Sequence, residues 1–250
     1  MKKSIFIITF TLILTSILSS TTLRRKIPLQ TLHNWARGFK VLKYTVRTQN
    51  NMIQETRKKH ISVTFNVRRN AIIKIMKRKN PKSFKVLAEL SAEGLNTRFS
   101  PAGIPGASRE RISALSECNL RYLAILALYR FKGIEKNQEQ KKFIRLGLKA
   151  VILEGYSYRN IALACKTLAI HKDALNSKQM DSFNEYFKRQ SYKLILNRKF
   201  SVLLSMFSAT AEFNRKSGIS FIDRAIRGGI RGWMLRKAIR IKSKLITSGS

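Results

Sequence analysis

Apolar residues recur at helical spacing along most of the chain, and this pattern predicts an all-α protein. Over residues 67–76 the apolar positions fall at i, i+4, i+5, i+8 and i+9, while basic residues occupy most of the other positions. An apolar stripe with a basic opposite face is typical of an amphipathic helix that packs its apolar side on a core and exposes its polar side. The same periodicity predicts further helices over about 109–131, 141–154, 177–197 and 200–213.

Two shorter stretches near the first of these helices are harder to interpret. Residues 32–42, with Trp35 and Phe39 at helical spacing, predict a short amphipathic helix. Residues 61–67 alternate like a strand before the helical pattern takes over. Within that stretch we expect Phe65 to be buried and Asn66 to cap the helix that follows.

The N-terminus supports two interpretations. Met1-Lys2-Lys3 precedes the apolar run 4–18, and small polar residues follow, which is the layout of a secretory signal peptide. The run is short for a membrane span of about 20 residues, and the basic residues 24–26 work against translocation. Its Ile, Thr and Phe content also suits an extended apolar arm that packs into a groove. A signal or anchor and an oligomerisation arm therefore both remain open.

The C-terminus has its own amphipathic pattern. One side of a predicted helix carries apolar residues, namely Phe221, Ile222, Ala225, Ile226, Ile230, Trp233 and Met234. Basic residues cover the rest, and such a helix can dock on a partner subunit or lie on an anionic membrane. Together with the Pro- and Gly-rich loop 99–108, this predicts a division into an N-terminal arm 1–45, an N-terminal lobe 46–107, a C-terminal lobe 108–218 and a basic C-terminal arm 219–250.

Charge narrows the choice of partner. The chain has 50 Lys and Arg against 13 Asp and Glu, a formal net charge of +37 over 250 residues. Self-repulsion of this size destabilises a compact state unless an anionic partner neutralises it. Nucleic acid, with its dense line of phosphates, is the first expectation, and an anionic membrane surface is the second. No acidic residue lies between Glu55 and Glu89, which favours phosphate contact by the basic face of helix 67–76 over an ordinary solvated surface.

The sequence predicts no catalysis, metal site or cofactor. Three His and two Cys are scattered without metal-ligand spacing, and there is no Gly-x4-Gly-Lys-Ser/Thr phosphate loop. We interpret Cys118 and Cys165 as core residues near helix ends. The stretch 155–171 has some features of a DNA-binding helix-turn-helix, but the interval from Ala162 to Leu168 is about one turn too long, so a plain core helix is favoured.

Several short segments, taken in order, resemble nucleocapsid proteins of segmented negative-strand RNA viruses. Val63-Thr64-Phe65-Asn66 looks like the aromatic-Asn block of the emaravirus proteins, Asn119 to Ala124 is similar to their Asn-Arg-Leu-Ala block, and Gly155 to Tyr158 resembles their Gly-Tyr-acid-Phe block. The stretch 161–168, leading to 178–180 and 185–186, also looks like the late helices of the related tospovirus nucleoproteins. The likeness covers about residues 61–190. Ser157 stands where the family has an acid, and Tyr122 is an extra residue in the second block.

The resemblance implies a two-lobed helical nucleoprotein with a basic cleft between the lobes. Single-stranded RNA would lie in the cleft and be bound through its backbone, while terminal arms would join neighbouring subunits into a homo-oligomer. It also implies the virion and the host cytoplasm as locations and the viral polymerase as a further partner. A membrane is a partner only if residues 4–18 are an anchor.

The residues themselves favour the same mechanism, in which cations bind phosphates and aromatic rings stack on bases. Two sets of residues are predicted to contact phosphate: Arg68, Arg69, Lys74, Lys77, Arg78 and Lys82 in the first lobe, and Arg109, Arg111, Arg121 and Arg159 in or near the second. Tyr122, Tyr156 and Tyr158 are stacking candidates that can equally be core residues. The alternatives are a basic organellar, ribosome-associated RNA-binding protein and a membrane-anchored or secreted basic protein.

Overall fold

A computed structural model describes residues 27–47, 54–93, 95, 114–155 and 157–247, and this part of the chain is mostly helical. The described ranges contain ten α-helices, two short 3-10 turns and one two-stranded antiparallel sheet. In chain order the helices and strands are α1 Leu29–Ala36, β1 Phe39–Arg47, β2 Gln54–Ser62, α2 Phe65–Arg78, α3 Phe84–Ala92, α4 Ala114–Arg130, α5 Gln138–Glu154, α6 Tyr158–Ile170, α7 Ser177–Leu196, α8 Phe200–Phe213, α9 Arg215–Arg227 and α10 Gly232–Thr247.

The buried apolar side chains form one continuous cluster that extends from Leu32 in α1 to Ala238 in α10. Helices α3 and α5 approach each other very closely within it, because Gly147 has no side chain. A Cβ at residue 147 would lie 2.7 Å from Ser91 Oγ and 2.9 Å from Ala88 Cα, closer than real Cβ atoms come. The all-α class is therefore confirmed at the level of overall helicity, with a single hairpin added to it.

The hairpin replaces part of a predicted helix. Over 32–42 only the first half is helical, because α1 ends at Ala36 and β1 begins at Phe39. Gly38 lies between them with a φ of +98°, a backbone conformation that side-chain-bearing residues rarely adopt. Its carbonyl accepts from Val63 N at 3.1 Å, and β1 then pairs with β2 in a register that runs from Phe39–Ser62 to Arg47–Gln54.

Helix α2 follows the predicted pattern, with Ala71, Ile72, Ile75 and Met76 buried. The interpretation of Asn66 as its cap is wrong. The N-cap residue is Thr64, the helix begins at Phe65, and Asn66 is exposed inside the first turn. Phe65 is partly buried and packs against the core.

The four later helices predicted from periodicity are confirmed with small differences at their ends. α8 has the predicted bounds, and α7 ends one residue early at Leu196. α5 begins three residues early, at Gln138, because Asn137 caps it through a bond from Gln140 N to Asn137 Oδ1 at 2.9 Å. The described part of α4 begins at Ala114, and loop 99–108 lies outside the described residues. Residues 158–170 form a core helix, α6, as expected.

The C-terminal segment forms two helices where one was predicted. The chain turns at 228–231, between α9 and α10, and both helices pack on α8. The rings of Phe207 and Phe221 meet edge to face with centroids 4.8 Å apart, and Met234 in α10 is fully buried. Most of the predicted apolar stripe is thus buried against the same chain, while Trp233 remains 50% exposed.

Candidate nucleic-acid interface

Two of the predicted phosphate contacts are buried in the core. Arg68 is 3% exposed, donates from Nη2 to Glu93 Oε2 at 2.5 Å and from Nε to Ala36 O at 3.0 Å. Arg121 is 1% exposed and donates to the backbone carbonyl of Glu93. Both guanidinium groups hold segments of the fold together, so the prediction that they bind phosphate is wrong for this structure. A buried guanidinium needs such partners, because an unpaired charge in a core is costly.

The other basic residues predicted near α2 differ in their accessibility. Arg69, Lys74, Lys77 and Lys82 are exposed. Arg78 is partly buried and donates to Ile27 O at 2.6 Å. Their phosphate contacts remain predictions. Arg109, Arg111 and the stacking candidate Tyr156 lie outside the described residues.

Two predicted aromatic residues lie next to cations. The Arg159 guanidinium lies over the ring of Tyr122, 3.8 Å from its centroid, so one face of that ring is already covered. Tyr158 is 37% exposed, and Lys199 Nζ lies 4.8 Å from its ring centroid. Both pairs place an aromatic face beside a positive charge, an arrangement that single-strand binding surfaces use.

A strongly basic concave surface in the described part of the chain was not predicted as a site. It is a cavity of about 590 Å³ between α7 and α9, which we call the α7–α9 cleft. Helix α7 presents Lys188 and Arg189 to it, and α9 presents Arg224 and Arg227. The remaining lining residues are Ser191, Tyr192, Ile195 and Gly228, so no acidic residue lines the cleft.

The titration of a neighbouring carboxyl reports the positive field at this cleft. The pKa of Glu185 is lowered from its usual value, chiefly by a hydrogen bond from Lys188, whose Nζ lies 2.8 Å from Glu185 Oε1, and also by the charges of Lys188, Arg189 and Arg224. These three cations belong to two different helices, so their charges add at one place.

An exposed ring stands beside these cations. Tyr192 is 67% exposed and lies on α7 between Arg189 and Lys193. The sequence signal for the cleft is the basic and aromatic spacing of α7, with cations at 188, 189 and 193 around the ring at 192. That signal becomes a site only when α9 packs against α7, and packing between helices that are not consecutive in the chain is not visible in a local pattern.

A second concave surface lies on a neighbouring side of α7, and it combines a mainly apolar cavity with a more polar one. Two adjoining cavities of about 440 and 390 Å³ share Leu153 and Tyr186, and we call them together the α5–α7 groove. Leu146 and Phe183 line the first cavity, and Ile161, Leu194, Val202 and Met206 line the second. Arg189 lines both this groove and the α7–α9 cleft.

Neither a metal site nor a membrane-spanning helix is found in the described ranges. They contain no group of three or more His, Cys, Asp and Glu side chains placed to hold a metal ion. None of their helices combines the length and the apolarity needed to cross a membrane, and the run 4–18 lies outside them. Cys165 is fully buried in the interior of α6, and burial raises the pKa of its thiol, while Cys118 is only partly buried.

Comparisons of this chain with protein-family models, with curated proteins and with solved structures found no match. The function proposed below therefore rests on the residues and their geometry.

Proposed function

We propose that this chain binds single-stranded RNA through its phosphates, without sequence preference, and coats it as a homo-oligomer. The observation that supports this best is the α7–α9 cleft, where four cations from two helices line one cavity with no acid among them. Lys and Arg contacts to phosphate neutralise charge and release counter-ions, and they carry no information about base identity.

A preference for single strands follows from the aromatic neighbours of these cations. Tyr192 presents an exposed ring in the cleft, and Tyr158, which lines the α5–α7 groove, lies beside a different cation, Lys199. Stacking between a base and an aromatic ring is worth about 1–3 kcal/mol per base and needs a base that is free of its duplex.

Encapsidation of a viral genome is the form of this proposal that the resemblance implies. In that form the α7–α9 cleft would receive the RNA and the exposed cations of α2 would add contacts from the first lobe. An N-terminal arm would join neighbouring subunits, since the C-terminal helices pack on their own chain. The net charge of +37 supports a long polyanion as the partner, since a single short ligand would neutralise only part of it.

Charge reversal in the cleft tests the RNA site. The double variant Arg224→Glu/Arg227→Glu should weaken binding to every single-stranded RNA by roughly ten- to a hundredfold at about 0.1 M salt. It should also flatten the slope of log affinity against log salt by about 1.4, because each single-strand phosphate contact contributes about 0.7. Fluorescence anisotropy with several unrelated sequences measures both quantities.

The matched control is Lys132→Glu/Lys166→Glu. It changes the net charge equally, but at a cavity that also contains Asp173 and Glu212. Equal losses in the two double variants would show a diffuse charge effect and refute the cleft as the site. A loss that depends on base sequence would refute backbone recognition.

Electron microscopy of the protein mixed with unrelated single-stranded RNAs tests the coating. Rings or beaded filaments that dissolve as salt rises are expected. Monomers that ignore RNA would refute the proposal, and a single copy bound within a larger particle would favour the ribosome-associated alternative.

A further inference from the structure

The α5–α7 groove is not needed for phosphate binding, and its chemistry differs from that of the cleft. Its floor is made of aliphatic and aromatic side chains from α5, α6, α7 and α8. The two adjoining cavities, of about 440 and 390 Å³, fall within the range of small-molecule sites, which are mostly apolar with a few charged groups that fix orientation.

Cations occupy the edge of this groove. Arg145, Lys149 and Arg189 line its first cavity, and Lys193 lines the second. Arg145 is positioned by two long hydrogen bonds from Nη1, one to Ala174 O at 3.4 Å and one to Gln179 Oε1 at 3.3 Å. The acid in the lining, Glu185, is already paired with Lys188. The edge therefore complements an anionic group.

Two polar groups of the lining, those of Tyr186 and Gln179, are already used within the fold, and Ser182 and Gln190 also line the groove. Tyr186 donates its hydroxyl to Ile152 O at 3.2 Å. The Gln179 side chain accepts from Asn176 N at 3.0 Å as part of the capping box that begins α7. An acyl chain has no polar edge to satisfy, so it suits the apolar part of this lining, while its anionic head suits the cations.

We propose that the α5–α7 groove binds a free single-chain anionic amphiphile. The acyl chain lies along the floor past Leu153 and Tyr186, and the carboxylate or other anionic head lies at Arg145, Lys149 and Arg189. The groove shares Arg189 with the α7–α9 cleft, but its apolar floor is not part of that cleft, so laurate binding can be tested without RNA.

Calorimetric titration of the full chain with laurate below its micelle concentration tests the proposal. We expect one laurate per chain, and we expect Leu153→Trp to abolish binding, because Leu153 lines both cavities and a larger ring would occupy space in them. Leu153 is 40% exposed, so the larger ring does not have to enter the core. Leu196→Trp is the matched control, because Leu196 is an exposed leucine of α7 that lines neither cavity. RNA affinity should be the same in both variants.

A second pair of variants tests the anionic head and remains informative if Leu153→Trp does not fold. Lys149→Glu should weaken laurate binding about tenfold, while Lys166→Glu, the same change on exposed α6 surface, should not. Dodecyltrimethylammonium, a cationic amphiphile of similar length, should bind much more weakly than laurate.

Several results would overturn the proposal. Equal laurate binding by all variants would show general attraction to a basic protein. Equal binding of the cationic amphiphile would remove the role of the edge cations. Binding to vesicles of anionic phospholipid without binding of monomeric laurate would make the groove a membrane contact instead.

Discussion

Replacing Arg68 separates a structural role from an RNA-binding role. We expect Arg68→Met to destabilise the protein strongly, while its neighbour Arg69→Met leaves stability almost unchanged. Arg68 is buried against Glu93 and Ala36 O, whereas Arg69 is exposed on the same helix.

The size of the effect follows from the surroundings of the ion pair. The side chains of Arg68 and Glu93 are 4% and 12% exposed, so removing the cation leaves a nearly buried carboxylate without its partner. Breaking a buried pair in this way costs about 3–5 kcal/mol. Because Glu93 keeps some contact with water, we expect the lower end, about 3 kcal/mol. In a chain of this size that corresponds to a fall in Tm of about 6 to 12 °C.

Thermal and urea unfolding of the three proteins measure the difference. The double variant Arg68→Met/Glu93→Leu should recover much of the loss, because no charge is then left unpaired. A loss below about 1 kcal/mol in Arg68→Met, together with weaker RNA binding, would contradict the reasoning and return Arg68 to the list of phosphate contacts.

Two other stability predictions follow from close contacts and from protonation. Gly147→Ala should destabilise the protein by about 1–3 kcal/mol, because the new Cβ on α5 would collide with Ala88 and Ser91 on α3. An unchanged urea midpoint would show that the two helices are not this close. His33 bonds Ser83 Oγ at 2.9 Å, and burial, with the charge of Arg37 as a second cause, lowers its pKa to about 4. The unfolded chain protonates His33 below about pH 6.5, whereas the folded chain does so only near pH 4. The free energy of unfolding of the wild type should therefore fall as pH drops from 6.5 to 4, and that of His33→Gln should fall less, as measured by urea titrations.

The helices from α5 to α8 were predictable because each carries a long, regular apolar stripe and a local end signal. The hairpin was not predictable, since the apolar positions of residues 39–47 fit the helix period as well as the strand period. Only the backbone conformation at Gly38 and the pairing with residues 54–62 favour the strand. The break at 228–231 was missed for a similar reason. The apolar stripe continues through it, but burial of both halves against α8 requires the chain to turn.

The candidate site was harder to predict than the fold. Sequence reasoning identified basic residues, but it could not tell an arginine that holds the core, such as Arg68, from one that faces solvent, such as Arg69. That distinction depends on where Glu93 and the end of α1 lie in space. The α7–α9 cleft likewise depends on side chains 35 or more positions apart, such as Arg189 and Arg224.

Many of the few acidic side chains form ion pairs within the same chain, and this limits how strongly two copies of the chain can attract each other. Six acidic side chains in the described part of the chain pair with basic or histidine partners of the same chain: Glu89, Glu93, Glu135, Glu185, Glu212 and Asp223. Carboxylates engaged in this way do little to attract another copy, so two free chains bring mainly positive surfaces together. Under the proposed coating function, we therefore expect assembly to require a polyanion, because the positive surfaces of two chains repel each other without one.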